Sequence, residues 1–202
     1  AIEICREIVK RRLNVKLRVQ LRANTVWEDL IEEFKKAGCI HVDIGAESGS
    51  SKILETLKKG ITVEQIKNAV SIIKNRKIKC GVTFIIGTLG EMYEDVELSK
   101  KLAIDLDADY TQFFIMTPYP GTPLYNIAKK NNLFSGEINF EDYRHGGFEL
   151  KPILNVEISK KKLIELQDNL NKQFLGKIVR SYMLQPKFIT DLLYLFTKKP
   201  LY

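Results

Sequence analysis

The amino-acid sequence predicts an α/β chain, a partial (β/α) barrel of about four parallel strands with a C-terminal helical extension. Three observations point there. Strand-like alternation and helix-like periodicity take turns along most of the length. The interval from one strand to the next is short and regular, which favours a barrel or part of one over an open doubly wound sheet. The first two strands also carry a polar second face, Lys16, Arg18, Gln20 and Arg22, then His41, Asp43 and Glu47. An ordinary closed barrel fills its interior with branched apolar side chains. A wider or incomplete barrel with a wet, polar lumen is therefore expected.

The elements follow in order. Residues 1–12 read as an amphipathic helix without the apolar core of a signal peptide. Val15, Leu17, Val19 and Leu21 alternate with basic and polar residues as a half-buried strand does. Thr25 and Glu28 have capping-box spacing ahead of Leu30, Ile31 and Phe34, and Gly38 is the stop. Ile40, Val42, Ile44 and Ala46 form the second alternation. Ser50 or Ser51 is placed to cap a helix carrying Ile53, Leu54 and Leu57, ended near Gly60. Thr62 and Gln65 make a second capping box before Ile66, Ala69, Val70 and Ile73. Residues 78–87 are apolar enough for a strand buried on both faces. A helix over 91–106 and a strand over 110–117, halted by Pro118, complete the repeat. Residues 1–130 are thus expected to form the partial barrel, and 131–202 a loop and helical extension. In that extension Leu163, Leu166, Leu170, Phe174 and Ile178 mark one long helix, and 188–197 a last one.

Composition removes several classes. With 45% apolar and 28% charged residues, 12 Gly, 6 Pro and 3 Cys, the chain is neither disordered, nor collagen-like, nor a disulfide scaffold. No run approaches the roughly 18 apolar residues of a membrane span. The 32 basic and 25 acidic residues leave +7, which fits a nucleic-acid partner or a field that steers an anionic substrate. The positives are scattered in pairs and triplets, as on solvated helix faces, and a nucleic-acid partner is not expected. Cys5, Cys39 and Cys80 lie far apart with no zinc or cluster spacing, which suits a reducing cytoplasm.

Two stretches carry possible chemistry. DIGAESGS at 43–50 ends a strand, opens the backbone with small residues and begins a serine-capped helix. That geometry accepts hydroxyls or anions at the C-terminal end of a strand, although a plain strand-to-helix turn accounts for it equally. FIIGTLGE at 84–91 puts two glycines at a strand end, where a flat ring can approach the backbone, and lets Glu91 open a helix. Its glycine spacing is not that of a dinucleotide fingerprint. His41 and His145 are the only histidines. A lumen hydrogen bond suits the first and loop surface the second, and neither completes a metal site or a catalytic triad.

Taken together, several stretches resemble the radical SAM superfamily. They are Gln20-Leu21-Arg22, Ala37-Gly38-Cys39, GAESGS at 45–50, LKKGIT at 57–62, 84–91 and 118–125. The match is to the C-terminal part of the core barrel and is most like the cobalamin-binding subgroup, where a phrase like YMLQPKFI at 182–189 is common. The resemblance implies a partly open (β/α) barrel in which a 4Fe–4S cluster reduces S-adenosylmethionine to give a 5′-deoxyadenosyl radical for C–H activation, methyl transfer or cyclisation. By position, Glu47 and Ser48 would lie near the ribose, and Lys59 or its neighbour Lys58 would face the methionine carboxylate. Ile85, Ile86 and Gly87 would meet the adenine, with Thr117 and Pro118 on its other side. Gln20 and Arg22 would reach toward a small-molecule substrate. Leu89 and Met92 depart from the Pro and Thr usual in that turn.

The family's CxxxCxxC loop has no counterpart here. The resemblance therefore implies a C-terminal fragment, inactive alone, whose cluster ligands lie outside the chain; an external reductant would serve the parent enzyme, and cobalamin would enter through an upstream domain. Two other readings stay open: a non-catalytic basic half-barrel binding a nucleotide or RNA, and an aldolase-like barrel with Lys59 or Lys79 as amine nucleophile. The first strand should form an open edge prone to self-association.

Overall fold

The computed structural model describes residues 1–134, 136 and 154–183, without the side chains of 177, 178 and 180–183. The loop residues Tyr143, Arg144 and His145 and the helix expected at 188–197 lie outside the described residues. The elements are α1 (Ile2–Lys10), β1 (Leu17–Arg22), α2 (Glu28–Lys36), β2 (Cys39–Glu47), α3 (Ser51–Thr56), α4 (Val63–Asn75), β3 (Lys79–Ile86), α5 (Tyr93–Leu106), β4 (Tyr110–Ile115), α6 (Pro123–Lys130) and α7 (Lys160–Met183). All neighbouring strands are parallel, in the order β1-β2-β3-β4. Among the described residues this is the parallel α/β sheet that the periodicity predicts.

The two faces of the sheet differ as the alternation demands. Val42, Ile44 and Ala46 of β2, Val82, Phe84 and Ile86 of β3 and Phe113 of β4 are fully buried under the helices. The other face carries Arg18, Gln20 and Arg22, then His41, Asp43 and Gly45, then Thr83 and Ile85, then Tyr110 and Gln112, all exposed or half-buried. The pairing aligns these side chains in tiers. Gln20, Asp43, Gly81 and Tyr110 form one tier, and Arg22, Gly45, Thr83 and Gln112 the next.

Helix starts test the capping arguments. Thr62 accepts from the Gln65 backbone N–H at 3.2 Å while Gln65 accepts from the Thr62 N–H at 3.0 Å, a complete capping box. The pair Thr25 and Glu28 does not cap. Residues Ala23–Thr25 form a 3-10 turn, and the Thr25 hydroxyl donates back to the Arg22 carbonyl at 2.8 Å. Ser50 is the N-cap residue of α3, but its hydroxyl is engaged elsewhere. Glu91 does not open α5, which begins at Tyr93 after an N-cap at Met92.

Helix α7 packs against β4 and adds Leu163, Leu166, Leu170 and Phe174 to the same core as the sheet. Phe84 and Phe113 stack at 4.9 Å, and Phe174 lies 6.0 Å from Phe113. Each such burial is worth about 1.5–3 kcal/mol.

Candidate active site at the strand C-termini

Strand β2 ends at Glu47, a non-glycine residue with φ of 65°. That left-handed conformation is costly for a residue with a Cβ and is held by its surroundings. The register slips between Gly45 and Glu47, and the carboxylate folds back over the strand. A Cβ at Gly45 would lie 2.6 Å from Glu47 Oε1. Lys59 Nζ meets the same oxygen at 2.8 Å, with the Glu47 side chain only 11% exposed and the Lys59 side chain 41%. Arg22, at the end of β1, donates to the Lys59 carbonyl, and Asn24 donates to the Gly60 carbonyl at 3.3 Å. Three residues expected on separate motifs, Arg22, Glu47 and Lys59, therefore meet at one end of the sheet. Gln20 stands one tier below on the exposed face of β1.

Ser48 is near this point but turned away from it. It is fully buried, with its hydroxyl 3.1 Å from that of Ser99. Gly49 N–H donates to Ser99 Oγ at 2.9 Å, and Ser50 Oγ donates to Asp95 Oδ1 at 2.7 Å. Asp95 also takes Lys52 Nζ at 2.8 Å and the Met92 N–H at 2.9 Å. Burial pushes the Asp95 carboxyl up, but the bonds from Lys52, Met92 and Ser50 outweigh it and hold the group below its ordinary range. The serines thus fix the loop onto α5. The Ser48 hydroxyl is held within that loop.

The second rim is the turn after β3. Ile85 is half-buried on the polar face, whereas Ile86 is fully buried in the core. The Ile86 carbonyl accepts from the Met116 N–H at 2.8 Å, so this residue offers a ligand backbone alone and no side chain. Gly87 has φ of 80° and is backed by Leu163 of α7, whose Cδ1 a Cβ would approach to 3.0 Å. Glu91 closes the turn. Its Oε2 accepts from Gly87 N at 2.5 Å and Thr88 N at 3.0 Å. It is wholly buried, and burial pushes its carboxyl up to about 7 against those two stabilising bonds. After β4, Thr117 Oγ1 donates to the Ile115 carbonyl at 3.2 Å, and Pro118 is buried beside it. Sequence spacing could not show that Glu91 braces Gly87, because that contact depends on how the turn closes.

These residues could hold a polar, anion-bearing ligand with a flat ring. Lys59 supplies positive charge, Glu47 supplies acceptors for hydroxyls, and the Gly87 turn lets a ring approach the backbone. They do not offer a cluster site. Cys5, Cys39 and Cys80 are all buried, and burial, then Asp109 and Asp43, push the Cys80 thiol up to about 12. Among the described residues no group of three or more His, Cys, Asp or Glu is placed to hold a metal ion.

A family model of the radical SAM superfamily matches residues 1–103. The chain belongs to the radical SAM superfamily. It is 35% identical, over 94% of its length, to an uncharacterized methyltransferase of Pyrococcus horikoshii, of which it spans 39%. It is 30% identical, over 90% of its length, to the anaerobic magnesium-protoporphyrin IX monomethyl ester cyclase of Rubrivivax gelatinosus, of which it spans 32%. The chain thus spans well under half of these relatives. Among solved structures it resembles the radical S-adenosylmethionine methyltransferase TsrM from Kitasatospora setae with cobalamin and a 4Fe–4S cluster bound, at TM-score 0.59 and 28% identity, covering 64% of this chain and 28% of that one. Coproporphyrinogen III oxidase from Escherichia coli shares the fold at TM-score 0.58 and 14% identity, covering 87% of this chain and 37% of that one. No described helix is long and apolar enough to cross a membrane.

Proposed function

We propose that the chain is the cofactor- and substrate-facing part of a radical SAM enzyme acting in methyl transfer or cyclisation. On this reading the cluster ligands and any cobalamin come from outside the 202 residues, and the chain alone is inert. The observation that carries the reading is the meeting of Glu47, Lys59 and Arg22 at the strand C-termini, where (β/α) folds build their sites. Bound S-adenosylmethionine supplies the C–H activating or methylating equivalent. The chain's own residues bind and orient it. Lys59 draws in the carboxylate, and Glu47 exchanges its contact with Lys59 for the ribose hydroxyls. Ile85 and the Gly87 turn, with Thr117 and Pro118 opposite, bracket the adenine. Three free thiols fit a reducing compartment, and we place the protein in the cytoplasm.

Calorimetric titration of the chain with S-adenosylhomocysteine tests this. One site is expected, weakened at least about tenfold by Lys59→Met through loss of a charge-assisted bond. Its affinity should change little with salt. Steep loss of RNA binding with salt, and no S-adenosylhomocysteine site in folded protein, would favour the basic half-barrel instead. Stoichiometric iron and sulfide after anaerobic reconstitution would overturn the outside source of the cluster ligands.

A further inference from the structure

Below the candidate cofactor site the polar face carries a cluster with no role in that reading. His41 and Asp43 are two residues apart on β2 and so share a face. His41 Nε2 lies 2.8 Å from Asp43 Oδ1, and Arg18 Nη2 on β1 lies 3.2 Å from Asp43 Oδ2. One carboxylate therefore fixes two nitrogen donors on neighbouring strands. Gly81 on β3 makes the room. A Cβ there would fall 2.1 Å from Asp43 Oδ1 and 2.9 Å from His41 Nε2. Solvent reaches the cluster, with side-chain exposures of 14% for His41, 21% for Asp43 and 65% for Arg18.

We propose that Arg18 and His41, positioned by Asp43 and admitted by Gly81, bind a carboxylate of the substrate. The inference rests on the proposed function in one respect, that the polar face is the substrate's side of the sheet. The Arg18 guanidinium has five N–H donors, and Asp43 takes one of its nitrogens, so the fork can still receive a planar carboxylate. Asp43 engages His41 Nε2 and leaves Nδ1 to face a ligand, donating when the ring is protonated. Groups from all four strands surround His41. Arg18 comes from β1 and Asp43 from its own strand, where the Cys39 thiol donates to the His41 carbonyl. Lys79 of β3 is in register with His41, and Tyr110 of β4 with Gly81. Tyr110 donates to Gln112, and burial, then the Asp43 charge, hold its phenol above the ordinary range and so uncharged. Arg18 and Lys79 of the same tier bring two cations against the one Asp43 carboxylate, which leaves positive charge for an incoming carboxylate. His41 lies about 20 Å along an extended strand from Glu47. The substrate class is accordingly a long or broad molecule with a carboxylate remote from the atom that reacts.

Glutarate and its uncharged diamide, glutaramide, serve as probes on the full chain. The imidazole NMR signals of His41, told from those of His145 by a His145→Gln variant, report the site. Glutarate is expected to shift the His41 signals, whereas glutaramide should leave them still. Arg18→Gln should weaken glutarate about tenfold or more, the loss of a charge-assisted bond. Gly81→Ala, which keeps both donors but displaces them, should do the same. An unmoved His41, equal affinity in Arg18→Gln, or inorganic phosphate binding more tightly than glutarate would each overturn the carboxylate site. S-adenosylhomocysteine titrated into Arg18→Gln separates the two readings. Loss of the glutarate response with S-adenosylhomocysteine binding intact defeats only this site. The converse defeats the proposed function and leaves this site standing.

Discussion

Asn171 holds Phe113 as a neighbouring strand would. Its Oδ1 accepts from the Phe113 N–H at 2.8 Å and its Nδ2 donates to the Phe113 carbonyl at 3.1 Å, where Gln167 Nε2 adds a second donor at 3.1 Å. One side-chain amide thus mimics one peptide unit on the outer edge of β4. Covering an edge with a helix is one of the ways sheets avoid unwanted pairing.

Replacing that amide should be costly. Asn171→Ala removes the only acceptor described for the Phe113 N–H, while Gln167 continues to serve the carbonyl. A loss of about 2–3 kcal/mol is expected, since an unsatisfied buried group keeps its desolvation penalty. Urea unfolding of Asn171→Ala beside Gln167→Ala measures it, with the first variant the more damaged.

Glu91 gives the chain a pH dependence of definite sign. Its carboxyl is raised from 4.5 to about 7 in the folded protein. The native state therefore holds this proton more tightly than the unfolded chain. The associated stability is complete below the unfolded value and disappears as pH rises through about 7. Glu91→Gln should flatten the difference, on the order of 3 kcal/mol across that window. Denaturation midpoints of the two proteins from pH 4.5 to 8 test it; parallel curves would sink the idea.

Two glycines form a matched pair. A Cβ at Gly49 would lie 2.3 Å from the Leu98 carbonyl oxygen of α5, whereas at Gly90 it meets nothing within 4 Å. Gly49→Ala must push backbone from backbone and should cost about 3 kcal/mol. Gly90 has φ of 74°, and Gly90→Ala should cost only about 1 kcal/mol of left-handed strain. Thermal melts of the two variants should fall in that order.

Strand β1 has no partner on its outer side among the described residues. We expect the isolated chain to self-associate through it. Sedimentation velocity over a concentration series should show a weighted mass that rises with concentration. Gln20→Lys, which sets a third cation between Arg18 and Arg22 on the exposed face of that strand, should reduce the rise. A chain that stays monomeric throughout would remove the edge from consideration.

What could be read from the sequence follows a physical division. Period-two alternation across Val19, Leu21, Val42 and Ile44 and the reciprocal box of Thr62 and Gln65 are local, and they appear in the structure as written. The same spacing failed at Thr25, where a 3-10 turn gave the hydroxyl a nearer carbonyl. Glu47, Lys59 and Arg22 were individually legible, but their contact depends on the loop after α3 returning over β2. The side chains of Ser48 and Ile86 are taken up by long-range packing, against Ser99 and within the core. Position along the chain named these residues, and only folding decided which atoms face outward.

The amides of α7 also bear on how copies of the sheet can add to one another. Among the described residues Asn171 and Gln167 cover β4 at Phe113, which leaves the outer side of β1 for hydrogen-bonded growth. Two copies joined there by a twofold axis use up both free sides at once, and nothing remains for a third. Edge pairing of the isolated chain is thereby expected to halt at a closed dimer instead of propagating into a filament.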